Sequence, residues 1–417
     1  MKTKTVRAVN ALTSRWAGHA AADGTGTVFT AAGVSPLLAL LADGADGPAR
    51  TELEQALGIP ADTAASAARE LLTALDGVRD LRAATGLWTG RNLPLEEAWS
   101  ARLPAGTRSV LTGDEHTDRK ALDAWAADRT GGLIEKMPVQ TDRDSLLVLA
   151  SALALRLRWV RPFMPRRTWI DEGPWAEGAM GAVQGLSRST AVLDRVSVAH
   201  AATGPVTLLE VVGEGGVDVH LVLGEPQAAP GRTLQAGIAA ATRAIPSTGA
   251  SMLPEGNPGP GLHIDQVPSA DHQPWLNIRT VAFEVQAEHD LLAAAGLFGL
   301  VSASDTRTGH FPGISSEPLA VGSARQSAVA RFHAEGFEAA AVTAMALRPG
   351  GGIPSLKYRV RRAQVAFHRP FGFLAVHRTS RLVLAAGWVA EPLPYQQKSH
   401  AAEEAEAWAK LDAEERG

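Results

Sequence analysis

Ala334-Glu335-Gly336-Phe337-Glu338-Ala339-Ala340-Ala341-Val342-Thr343-Ala344, with His368-Arg369-Pro370-Phe371 further on, decides how this chain is read. The first is a run of small residues at the head of a long, exposed-looking segment. The second opens an apolar, alternating strand. Between them stands Arg348-Pro349-Gly350-Gly351-Gly352-Ile353-Pro354, which is loop chemistry. A flexible connector is the plain interpretation of such Gly and Pro clusters, but long loops in compact domains are often functional. The basic run Lys357-Tyr358-Arg359-Val360-Arg361-Arg362 that closes the segment reads as the solvated face of an edge strand, where positive charge blocks unwanted pairing. An acidic partner for it is the alternative.

Outward from that stretch the pattern is mixed. Downstream, 365–389 holds apolar, strand-like runs broken by Arg378-Thr379-Ser380-Arg381. The last stretch, 400–417, is Ala- and Glu-rich with Ala405, Trp408 and Leu411 at helical spacing, and reads as a charged, solvated tail. Upstream, helical patterns cover 7–22, 32–41, 51–58, 64–75, 120–129 and 230–244. Strand patterns cover 81–88, 146–159, 206–212, 217–223 and 281–285. The 146–159 run is almost wholly apolar and therefore central. Residues 245–261, rich in Gly and Pro, read as a surface loop. Helices first, strands throughout and no regular βαβ alternation favour an α+β fold, one domain over 1–395 with the tail at 396–417.

Composition narrows the function classes. The 417 residues suffice for a large core, and 45% apolar with 20% charged residues is ordinary for a soluble protein. A net charge of -4 argues against nucleic acid as a partner. With no cysteine there is no disulfide and no thiolate metal site. Residues 1–8 are basic, but Arg15, His19 and Asp23 break up the stretch after them, so neither a signal peptide nor a membrane span is expected and the compartment is read as cytoplasmic.

The order of short motifs resembles the serpin (serine protease inhibitor) family, in its bacterial-type form. Gly44-Ala45-Asp46-Gly47 with Glu52-Leu53 and Leu57-Gly58 is similar to the family's segment after its second helix. Ala84 to Trp88 looks like a strand that in the family begins Ala-Asn, with Thr85 where Asn is usual. Trp125, Thr130, Gly132, Ile134, Leu149, Ala152, Trp159 and Phe163 fall at the spacing of its helix, central strand and subsequent buried tryptophan. Phe311-Pro312-Gly313-Ile314-Ser315, Arg369-Pro370-Phe371-Gly372-Phe373-Leu374 and Gly387-Trp388-Val389-Ala390-Glu391-Pro392 match its later motifs.

The resemblance implies three β-sheets, eight or nine helices and an exposed, metastable reactive-centre loop at about 334–362. In inhibitory members a protease cleaves the loop and is trapped as an acyl-enzyme when the loop enters the largest sheet. Small hinge residues and strict alternation suit that entry. The hinge would be Gly336, Phe337, Glu338, Ala339, Ala340, Ala341, Val342 and Thr343. Phe337 stands where inhibitors carry Thr or Ser, and a benzyl group there costs about 1–3 kcal/mol if no space awaits it. Thr30, Gly33, Ser151 and Gln326 occupy the positions of the hydrogen-bonded shutter, where the family has Ser, Ser, Asn and His. Trp159 matches the buried tryptophan near the loop's entry. The usual count from Gly336 puts the scissile bond between Gly350 and Gly351; with the register shifted, Leu347, Arg348, Lys357 or Arg359 takes the specificity position.

Elsewhere the chemistry is thin. Gly33-Val34-Ser35-Pro36-Leu37 lacks the second glycine of a nucleophile elbow. The histidines form no metal-ligand pattern, so no catalytic residue, cofactor or metal is expected. Ten tryptophans against two tyrosines leave room for a Trp-lined pocket, although Trp88, Trp99, Trp125 and Trp159 read as core. Three classes stand. A suicide inhibitor is favoured by the alanine-rich hinge. A non-inhibitory serpin that binds a protein, peptide or small molecule, its inhibition weakened or lost, is favoured by Phe337, the altered shutter and the triple glycine. A catalytic scaffold has no direct support. The second is the reading adopted from the sequence, and no nucleic acid or membrane enters it.

Overall fold

Leu147–Leu155 is apolar apart from Ser151, and all nine of its residues are buried. A strand buried on both faces needs cover on both, and two helices supply it. On one side lies Ala31–Gly44, apolar nearly all round and buried along almost its whole length, as a core helix must be. It is N-capped by Thr30, whose Oγ1 accepts from Gly33 N at 3.1 Å. On the other side lies Glu115–Thr130, capped by Asp114 and closed by Gly131 at φ 63°. Alternation sorts the side chains: Leu149 and Leu153 join the main core, while Val148, Ala150 and Ala152 meet Leu122 and Ala126.

The computed structural model describes residues 1–79, 81–139, 145–177, 181–336 and 356–395. Among them are nine α-helices and three sheets, the architecture that the resemblance implied. The five-stranded sheet runs Phe283–Asp290, Ser323–Phe332, Leu147–Leu155, Leu81–Gly90, Arg108–Leu111. Leu147–Leu155 is hereafter the central strand and Ser323–Phe332, which leads into the loop, the trailing strand. The seven-stranded sheet packs helices Thr3–Ala20 and Pro230–Ala241 against Val196–Ala201, Gly204–Val212, Val217–Leu223, Phe371–His377 and Val383–Val389, with Thr27–Phe29 and Ser247–Gly249 at its edges. The six-stranded sheet runs Gly256–Gly259, Leu262–Ser269, Tyr358–Ala366, Trp275–Val281, Val183–Thr190, Met164–Thr168.

Two expectations need correction. Tyr358–Ala366 is interior: it pairs antiparallel with Leu262–Ser269 and parallel with Trp275–Val281. Its charges are absorbed locally instead of guarding an edge. Arg362 faces Asp265 across the ladder and grips it through Nε at 2.9 Å, and Arg361 donates to the carbonyls of Ala250 and Leu253. Residues 245–261 also contain more than loop, for Ser247–Gly249 and Gly256–Gly259 are short strands that find partners in two different sheets. Gly and Pro mask such pieces in the sequence because pairing, not local propensity, makes them strands.

Candidate functional site: the parallel seam and the base of the loop

The central and trailing strands are parallel neighbours, paired from Ser323 opposite Val148 to Val329 opposite Ala154. Each has an antiparallel neighbour on its other side. A segment entering the seam after doubling back from the trailing strand would run antiparallel to both, exchanging one parallel ladder for two antiparallel ones. Every pair along the seam has a small residue on at least one side: Ala324 lies opposite Leu149, Arg325 opposite Ala150, Gln326 opposite Ser151, Ser327 opposite Ala152, Ala328 opposite Leu153 and Val329 opposite Ala154. Parting it breaks backbone bonds but little side-chain packing.

Thr30, Gly33, Ser151 and Gln326 converge beneath this seam. Gln326 is fully buried, accepts from Thr30 N at 2.8 Å and donates to Thr30 O at 2.9 Å. Its Nε2 reaches Ser151 Oγ only at 3.4 Å. The strong bonds therefore tie the trailing strand to the cap of the core helix, and the link across the seam is weak. A Cβ on Gly33 would lie 2.6 Å from Ser151 Oγ, so the missing side chain at 33 is what admits the serine. Thr85 closes the cluster with a long 3.5 Å contact to Gly33 O.

At the far end, Trp159 clamps the base of the loop. It is 2% exposed, its Nε1 donates to His333 O at 2.9 Å and its backbone N to Glu335 O at 3.0 Å. Phe163 N binds Ala334 O at 2.7 Å, and Gly336 bridges Arg158. A Cβ on Gly336 would lie 2.0 Å from Leu157 O, so only glycine allows the loop's first residues to lie on that backbone. Phe332 packs on Trp159 at 4.9 Å and stacks on Phe283 at 5.1 Å. Arg188 lies 4.3 Å over the Phe163 ring, and burial, with help from the charges of Arg195 and Arg161, pushes its pKa down to about 10. His333 is held below the usual imidazole range, chiefly by burial.

One brace has no counterpart among the sequence expectations. Asp218 is buried in the apolar strand Val217–Leu223, where Arg378 grips it through two bonds of 2.7 and 2.9 Å. The same pair binds Gly213 N and O, fixing the turn against which Arg158 and Val160 hydrogen-bond. A lone acid in a strand whose only other polar residue is His220 was the available signal.

Of the other predicted residues, Phe337, Glu338, Ala339, Ala340, Ala341, Val342, Thr343, Leu347, Arg348, Gly350 and Gly351 lie outside the described residues, as does the 396–417 tail. Lys357 is exposed, just ahead of the strand Tyr358–Ala366. Arg359 belongs to that strand, paired with Pro268. A bond held in a ladder cannot extend into a protease cleft, so Arg359 leaves the set of scissile candidates. Among the described residues no group of three His, Cys, Asp or Glu could hold a metal, and no helix is long and apolar enough to cross a membrane.

A five-stranded sheet with a parallel seam beside its central strand, a buried latch beneath that seam and a glycine-anchored loop base at its end is the arrangement that the resemblance implied. The family model described as serpin (serine protease inhibitor) matches residues 8–176 and 270–392, and the chain belongs to that family. Serpin-Z2A of rice (Oryza sativa subsp. japonica) is 26% identical over 414 residues, covering 88% of this chain and 91% of the relative. Alpha-1-antiproteinase 2 of horse (Equus caballus) is 22% identical over 381 residues, covering 88% and 82%. Among solved structures, the native state of the thermophilic serpin tengpin superposes with a TM-score of 0.73 at 14% identity, covering 94% of this chain and 95% of that one. Human thyroxine-binding globulin complexed with thyroxine gives 0.69 at 16% identity, covering 94% and 98%.

Proposed function

We propose that this protein is a suicide-substrate inhibitor of a serine protease, working by cleavage of the 337–355 segment and its entry into the five-stranded sheet. The observation that supports this reading is the parallel seam, where every pair has a small residue on at least one side and where, among the described residues, no side-chain bond shorter than the 3.4 Å contact of Gln326 with Ser151 crosses. The horse relative's name, an antiproteinase, agrees. Phe337 tempers the reading. A bulky first hinge residue favours slow insertion, and with it a second function as a plain binding protein for a protein, peptide or small molecule, in keeping with a structural neighbour that holds thyroxine.

Incubation with elastase-, subtilisin- and trypsin-like proteases, read on a denaturing gel, separates the two. The inhibitor reading expects an SDS-stable adduct, and mass spectrometry of the released fragment then places the cleaved bond. Loop cleavage with neither adduct nor gain in thermal stability refutes it and leaves the binding function.

A further inference from the structure

A pocket of about 290 Å³ lies beside the C-terminal end of helix Pro230–Ala241, on the seven-stranded sheet. Its polar wall brings together Asp194, Arg195, Glu210, His220, Arg243 and Arg381. Both acids are already engaged. Arg195 pairs with Glu210, and the Asp194 carboxylate accepts from Ser251 N and Oγ, each at 2.9 Å. Among the described residues the guanidinium groups of Arg243 and Arg381 make no hydrogen bond or ion pair, and they give the pocket an unspent positive charge. His220, opposite Glu210 in the ladder, is 7% exposed, and its Nε2 is buried without a partner. A buried polar atom left unpaired costs stability unless something meets it.

Backbone conformation supplies a second, independent observation. Among the described residues, Arg243 and Arg381 are the two non-glycine residues at positive φ, each at 61°. Arg243 closes helix Pro230–Ala241, where Ala244 N returns to Ala239 O at 2.7 Å. That is a position that glycine usually fills. Arg381 ends the turn after Phe371–His377, and Asn10 fixes it by donating to its carbonyl at 2.9 Å while accepting from Val383 N at 2.9 Å. An arginine at a glycine position is strained. Two such arginines on one pocket point to a use for their side chains.

We infer that this pocket binds a small oxyanion-bearing molecule, its carboxylate or phosphate held by Arg243 and Arg381 and hydrogen-bonded by His220 Nε2, its apolar part lying on Leu208 and Ala241. Burial favours the neutral imidazole, one of whose two tautomers carries an N–H donor at Nε2. A planar guanidinium grips either oxyanion in bidentate fashion. The site is independent of loop insertion and stands whether or not the protein inhibits.

The test is isothermal titration of the full chain with benzoate and with inorganic phosphate, benzyl alcohol serving as the uncharged control. Saturable binding of either anion, weakened at least tenfold in Arg243→Gly and Arg381→Gly, is the expected result, and the tighter probe tells carboxylate from phosphate. Both glycine variants suit the local φ, so both should fold and melt at or above the wild-type temperature when ligand-free. No saturable binding of either anion, equal binding by the variants, or equal binding of benzyl alcohol overturns the site.

Discussion

Gln326→Leu is the sharpest test of how the sheet is latched. The substitution keeps the bulk but leaves Thr30 N–H unpaired and takes from Thr30 C=O the bond it accepts from Gln326, beneath the sheet where Thr30 is fully buried. Each unpaired buried group costs about 1–3 kcal/mol, so a loss of about 2–4 kcal/mol is expected after local relaxation. Ser151→Ala removes only the long 3.4 Å contact and should cost under about 1 kcal/mol. The first urea-unfolding transition reads both, since a protein of this size need not unfold in two states. The latch also governs opening. With the trailing strand freed from the helix cap, a synthetic peptide spanning 338–347 should anneal into Gln326→Leu faster than into wild type, followed on native gels. If Ser151→Ala costs as much as Gln326→Leu, or if annealing is unchanged, the latch is not strand-to-helix and the reasoning fails.

Further expectations rest on single contacts. Gly33→Ala pushes a methyl to 2.6 Å from Ser151 Oγ and should destabilise by about 1–3 kcal/mol, with Ser151→Ala restoring most of the loss in the double variant; strict additivity would contradict the contact. Asp218→Asn removes the charge from a pair that is buried on the acid's side and partly exposed on the arginine's, so a loss of about 2–3 kcal/mol is expected, with faster hydrogen exchange at 157–163 behind the loosened turn. Unchanged exchange there would show that the brace does not support the loop base. His220, His289, His333, His368 and His377 are all held below the ordinary imidazole value, chiefly by burial. Folded, each binds a proton less readily than unfolded, so its contribution is complete above the unfolded value near 6.5 and is lost as pH falls below it. The urea midpoint should drop between about pH 7 and pH 5.5, and His289→Gln should shrink the drop; a flat midpoint would refute this.

Much of the seam is legible in the sequence because apolar runs and small residues leave a plain trace. The central strand shows as an almost wholly apolar stretch, and four residues as distant as Thr30 and Gln326 are grouped by what the family resemblance implies. The rest is hidden for physical reasons. Arginine-rich Tyr358–Ala366 resembles an edge because charge at an edge is the common defence, yet its arginines find Asp265 and two carbonyls within the fold. Asp218 escapes notice because nothing in a single strand announces a partner 160 positions away. Positive φ at Arg243 and Arg381 leaves no trace in sequence at all; glycine would have been the visible signal there.

The end of the seam nearest Gly336 bears on Phe337. Pairing with the central strand stops at Val329 opposite Ala154, although the trailing strand continues to Phe332 alongside Phe283–Asp290. The central strand itself ends one residue later, at Leu155. The chain after it folds over the end of the trailing strand, Trp159 N bonding Glu335 O and Arg158 bridging Gly336, so an inserting segment meets that clamp first. Its rim is aromatic: the rings of Trp159, Phe163 and Phe283 lie 4.9, 5.8 and 5.1 Å from that of Phe332. A benzyl group arriving there gains aromatic contacts worth about 0.5–1.5 kcal/mol per pair, which offsets part of the overpacking that a deeper, alanine-lined stretch would impose. Phe337→Thr should then speed the later steps of insertion while weakening the docking of the first residue. If cleaved Phe337→Thr protein gains less thermal stability than cleaved wild type, the aromatic rim has accepted the ring. An equal or larger gain means that Phe337 only obstructs.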